Sequence, residues 1–287
     1  MTTPFQSLLV AAPNGGGLFA VDDGVVKCLD ARPSTGLCFA EGRLIRAIQA
    51  GQMVVYQDEG QKSYEWSALG LDDVHDVLVS GGNIHVVSTG SNEVVEFDWN
   101  FTELSRRRFS EAPDSWHLNC LGASPEGRIY FSAFGRFDTT RGYKGADSGT
   151  GFIQDLRGDS ILIDGLTQPH NLLFEVSGHY LYADSGTKSI CRARSGSVLV
   201  RRHVDGYPRG LAVHEGVLYV GLSCSRNVVL GQSDIQSATL LALHLDTLDE
   251  IGRIALPANE IYDIRHVARD DEFKRLCLSI SGDGALT

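Results

Sequence analysis

Three histidines open stretches that are otherwise apolar: His75 in "DVHDVLVSG", His117 in "SWHLNCLGA" and His170 in "QPHNLLFEV". Neutral imidazoles meeting at one point suit a divalent Zn, Fe, Mn or Cu ion better than Ca, which prefers oxygen ligands. With one position left open, such an ion polarises a carbonyl or lowers the pKa of a bound water. The same side chains also fit a polar ligand pocket without metal, or plain hydrogen bonding at strand starts, and the spacing leaves all three readings open. Asp184, Asp263 and Tyr143 are the candidate proton-transfer groups. Arg209, Arg136 and Arg226 can clasp a carboxylate or phosphate with their planar forks, with Tyr262 and Trp116 as further substrate contacts. The bland alternatives are a turn aspartate at Asp184 and a structural salt link at Asp263 with Arg265.

A repeat must position these residues. Short strand-like runs bounded by Gly, Asp, Asn and Ser dominate, as in "GNIHVVST", "GRIYFSAF", "GHYLYADSG" and "GVLYVGLS", and helical periodicity is nearly absent. Aligning the first apolar run of each unit gives anchors at Thr35, His75, His117, His170, Arg209 and Asp263, spaced by 40, 42, 53, 39 and 54 residues. A four-stranded propeller blade takes roughly 40–45 residues. The chain therefore reads as all-β, one six-bladed β-propeller domain over residues 1–287. The last unit is incomplete after "RLCLSISG", and the N-terminal strands "SLLVAAP", "GGLFAVDD" and "VVKCLD" complete it, closing an edge that would otherwise invite aggregation. Strands hidden in the two long repeats would make the count seven.

In this architecture the first strand of each blade lines a central tunnel, and the anchors lie at one rim. The two long repeats owe their length to residues 134–151 and 223–237, each following the second strand of its blade. Both insertions are expected to overhang the same rim as lids. The first carries Arg136, Arg141, Tyr143 and Lys144, and the second Arg226.

The net charge of −11 argues against nucleic-acid and anionic-membrane partners. The basic clusters at residues 105–110 and 200–204 read as solvated edges. No run of about 18 apolar residues occurs. The start lacks a basic segment followed by an apolar one. The six cysteines form no CxxC pair. A cytoplasmic location with reduced thiols is the expectation. Phosphate-binding loops, dinucleotide fingerprints, HExxH and a nucleophile elbow are absent.

The phrases "DVHDVLV", "DSWHLN", "GLTQPHNLLF", "LYADSGTKSI" and "GYPRGLAVHEGVLYVGLS" resemble an uncharacterised bacterial family of conserved hypothetical propeller proteins, a domain of unknown function, over roughly residues 70–270. More distantly, "TQPHN" and Asp184-Ser185 are similar to the gluconolactonase and senescence-marker group, which holds a divalent metal with Glu, Asn and Asp. Its early "EGP" phrase is missing here, "FAEGRL" at 39–44 being the nearest. Peptide-amidating lyases of the same architecture hold zinc with three tunnel histidines, a pattern closer to His75, His117 and His170. These resemblances imply a metal-dependent hydrolase, lyase or isomerase acting at the tunnel mouth on a small anionic or hydroxylated metabolite. The alternative is a non-catalytic propeller that binds a sugar, peptide or protein.

Overall fold

The computed structural model describes residues 3–57, 60–224 and 237–282. Its strands form six four-stranded antiparallel sheets, the blades of a six-bladed β-propeller. Blades one to five follow the chain, over residues 34–65, 74–108, 118–166, 169–203 and 207–255. The sixth joins Asp263–His266 to the N-terminal strands Leu8–Ala12, Gly17–Asp22 and Val25–Asp30. Leu8–Ala12 lies between Asp263–His266 and Gly17–Asp22, paired antiparallel to both, so the N-terminal closure read from the sequence is the one observed.

The chain divides into two compact units. One comprises Met1–Glu65 with Asp205–Thr287 and carries blades one, five and six; the other, Trp66–Val204, carries blades two, three and four. Within each blade the sequence grades from apolar to polar. The early strands are covered on both faces and read as near-continuous apolar runs, such as Leu8–Ala12, buried throughout. The last strands face solvent and carry charge, as in Gly60–Glu65 and Ser197–His203. In the second unit one core cluster joins Val87 and Val94 of blade two to Leu118, Phe131 and Phe152 of blade three. Another joins Ile153 and Leu166 to Leu172, Tyr180 and Tyr182 of blade four.

The first strands of blades one to five share a device that the sequence conceals. Each holds one more residue near its entry than the strand it pairs with. The extra residue falls at Thr35-Gly36, His75, Asn119-Cys120, Asn171 and Arg209-Gly210. Such a bulge re-aims side chains locally. The three histidines therefore do not occupy one repeat position. His75 is on the bulge, His170 directly precedes it, and His117 lies just outside its strand with a left-handed backbone, φ 50°.

The apolar run "RLCLSI", counted with the incomplete last unit in the sequence, belongs to a helix, α1, Asp270–Ser281. Three acidic residues in its first turn suit the helix dipole. Phe273, Leu276, Cys277 and Ile280 fall at helical spacing and pack on a core cluster with Leu9, Leu29 and Leu44. No described helix is long and apolar enough to cross a membrane.

Candidate active site

The strands of blades two and three bring His75 and His117 together. Their rings meet edge to face, centroids 5.0 Å apart. Each imidazole is served by an aspartate just upstream, and both aspartates have left-handed backbones, φ 48°. The Asp73 Oδ2 atom lies 3.5 Å from His75 Nε2, and the Asp114 Oδ1 atom 2.6 Å from His117 Nδ1. The entering loops are stapled from behind. Ser88, at the end of the second strand of blade two, accepts the Asp72 amide and donates to the Asp72 carbonyl. The side chain of Asn92 accepts the Trp116 amide.

The 134–151 insertion folds back over this pair, as its position in the repeat implies. Its short 3₁₀ turn, Gly142–Gly145, buries Tyr143, whose ring centroid is 4.5 Å from that of His117. Arg141 latches the loop: its amide donates to the Asp114 carbonyl at 3.0 Å and its Nε to Asp114 Oδ2 at 2.7 Å. Phe134 packs on the His117 ring at 4.3 Å.

Burial disfavours the imidazolium of His117 more than Asp114 favours it, and its pKa falls from 6.5 to about 4. The ring is thus neutral at pH 7. With Nδ1–H directed at Asp114, Nε2 carries a lone pair and has no hydrogen-bond partner among the described residues. For Asp73, burial raises the pKa, but His75, His117 and Arg141 outweigh it and hold the carboxyl at about 2. Asp114 is likewise held below the usual carboxylate range, against its burial, by His117 and Arg141. The arrangement is a neutral base oriented by a carboxylate, next to a second imidazole and beneath a phenol.

His170 is linked to His117 through a shared phenylalanine. Its Nδ1 lies 2.9 Å from both the Ser185 Oγ and the Gln168 carbonyl, and its ring touches the Phe134 ring, which also packs on His117. Of the three imidazoles expected to meet, two are in ring contact and the third packs on the Phe134 ring that also covers His117. Among the described residues no group of three or more His, Cys, Asp or Glu is arranged to hold a metal ion. The donor set present, two imidazoles each facing its own carboxylate, does not fit a preformed three-histidine centre.

The remaining candidates have other partners. Asp184 accepts the Thr167 amide and the Thr187 hydroxyl, and so clamps the loop that delivers His170. Arg136 lies 3.9 Å from the Phe152 ring centroid and 5.3 Å from that of Trp116, and donates to Gln154. In the other unit, Arg209 is buried against Glu260 and stacks near Tyr207 and Tyr262. A carboxylate of the protein thus takes the place expected for a substrate acid. The Asp263 carboxylate accepts the Leu37 and Ile264 amides and pairs with Arg265. Asp76 does the same for the Leu121 and Val77 amides in the second unit, so Asp263 has the geometry of a repeated strand connector. Arg226 lies outside the described residues, as does most of the second insertion. Asp73 and Asp114 were not singled out from the sequence. Their signal was an acidic residue two or three positions ahead of each histidine, in "DDVHD" and "PDSWH".

A sequence profile described as a domain of unknown function (DUF4915) matches residues 61–272. No functionally described protein matches the chain in sequence. Among solved structures, a chain of the nidogen/laminin complex is 14% identical, with a TM-score of 0.68, over 90% of this chain and 96% of that one. A gluconolactonase from Xanthomonas campestris is 18% identical, TM-score 0.56, over 79% and 77%. A protein of unknown function from Bacteroides caccae is 12% identical, TM-score 0.59, over 91% and 98%. At these identities the likeness is one of fold.

Proposed function

The chain belongs to the DUF4915 family, and from that premise we propose that it is an enzyme that moves protons on a small hydroxylated or anionic metabolite at the His117–Asp114 dyad. The reaction class is a lactone or ester hydrolysis, an elimination or an isomerisation. One observation carries the reading: a half-buried neutral histidine whose Nδ1 is engaged by a carboxylate and whose Nε2 is left for a reacting proton. His117 Nε2 takes the proton from a water or from a carbon beside a carbonyl. Asp114 holds the tautomer and stabilises the imidazolium that forms. His75 or Tyr143 returns a proton to the leaving oxygen. The latched 134–151 loop excludes bulk water. Location in the cytoplasm remains part of the proposal.

Turnover of a panel of lactones, esters and hydroxy acids by untagged protein, beside His117→Gln, tests this reading. Turnover lost in the variant, with the circular dichroism spectrum kept, is the expected result. Equal turnover in both proteins sinks the dyad. Saturable binding of a sugar or peptide without turnover favours the non-catalytic alternative.

A second reading rests on the His75–His117 contact: a divalent ion shared by these two imidazoles. It requires Asp73 or Asp114 to leave its histidine and join the ion. Metal analysis of untagged protein beside a His75→Ala/His117→Ala variant decides. Equal, negligible metal in both, with no uptake on reconstitution, ends it.

A further inference from the structure

At the far end of the same strands, blades two and three line a half-open pocket of about 220 Å³. Across blade two, His85, Glu96 and Ser105 lie in one row on three successive strands, and Val94 and Arg107 in the next. Leu156 and Arg157, at the end of the Gly151–Asp155 strand in blade three, close the other side.

His85 is 3% exposed, and its Nδ1 is buried with no hydrogen-bond partner among the described residues. Burial outweighs the Glu96 charge and the Ser80 backbone and holds the ring below its usual pKa, so the imidazole is neutral and Nδ1 can accept a hydrogen bond. An unmade hydrogen bond at such a depth destabilises the fold, and a ligand that supplies it is favoured. Glu96 beside it is ionised and satisfied on one oxygen by Asn83 and on the other by Ser105. The wall therefore offers acceptors. The mouth offers cations: Arg157 is exposed and makes no ion pair among the described residues, while Arg107 reaches from blade two to the Leu156 carbonyl and lies over the Phe109 ring.

We propose that this cavity is a second ligand site, separate from the His117 dyad, for a small carboxylate that also carries a hydroxyl or ammonium donor. The donor group enters toward His85 and Glu96, the carboxylate stays at Arg157 and Arg107, and Val94 and Leu156 cover the short carbon stem. The space equals about seven waters at roughly 30 Å³ each, enough for a three- or four-carbon acid.

The test is a titration of ¹⁵N-histidine-labelled protein with L-serine and L-lactate, and with propionate and propane-1,2-diol as controls lacking the donor or the carboxylate. Serine or lactate should shift the His85 Nδ1 resonance saturably, and the controls should not. Arg157→Ala, a surface change that leaves the unliganded spectrum in place, should weaken the binding about tenfold or more, the loss of one charge-assisted hydrogen bond. No saturable shift with serine or lactate, shifts equal to those of the controls, or unchanged binding in Arg157→Ala overturns the proposal. The His85 readout is independent of turnover, so the dyad and this site stand or fall separately.

Discussion

The Asp114 carboxylate holds His117 with one oxygen and the lid residue Arg141 with the other. Substitution by Asn keeps the shape but loses the charge that stabilises an imidazolium. Asp114→Asn is expected to lower kcat/KM roughly 100- to 10,000-fold, with a smaller effect on KM. Because His117 in the free protein takes up its proton near pH 4, the acid limb of kcat/KM should fall as pH drops through about 4, and not through 6.5. A limb centred near 6.5 would assign the base elsewhere. At this scale the sequence was half legible. Histidines before apolar runs stand out in any reading, and two of the three do meet. The left-handed residues Asp73 and Asp114, which aim the carboxylates, are ordinary letters in the sequence, because nothing in composition marks a positive φ for a non-glycine.

At the scale of the strand, neighbouring blades are joined by their first strands. Asp76 in blade two accepts the Leu121 amide of blade three, and Asp263 in blade six accepts the Leu37 amide of blade one. Removing either carboxylate strands two buried amides. Asp76→Ala and Asp263→Ala should each cost about 1–3 kcal/mol per orphaned donor, read as a lower urea midpoint, and should do so to similar extents if the two are the same device. Gly122 marks where two first strands pass closely: a Cβ there would lie 2.7 Å from the Leu172 carbonyl oxygen. Gly122→Ala is expected to destabilise by about 1–3 kcal/mol, whereas the same change at Gly145, where a Cβ would meet nothing, should not. The repeat period was readable because each blade restates one apolar phrase. The register was not, because one inserted residue per first strand shifts alignment without altering hydrophobicity. The helix Asp270–Ser281 was missed for a related reason: a short apolar run fits either period until its packing surface is known.

For the molecule as a whole, acid stability follows from histidines kept neutral by burial. His117 and His266 are both depressed from 6.5 to about 4, His266 by burial and then by the charge of His214, with which it stacks at 3.6 Å. The unfolded chain takes up these protons near pH 6.5 while the folded one refuses them until about 4, so stability should fall as pH drops between those values. Thermal unfolding followed from pH 7.5 to 4 checks this, and His266→Phe should flatten the slope. A slope unchanged in that variant would place the proton uptake elsewhere. The six-sheet plan was legible at this scale because the first and last repeats are each incomplete and complementary. That closure also sets a timetable. Leu8–Ala12 is made well before residues 263–266, for which one of its two hydrogen-bonding edges is reserved. At roughly 5–20 residues per second, a ribosome leaves that edge uncovered for on the order of tens of seconds. Throughout that interval the nascent chain carries an open β-edge, and this is the period in which a holdase has most to protect.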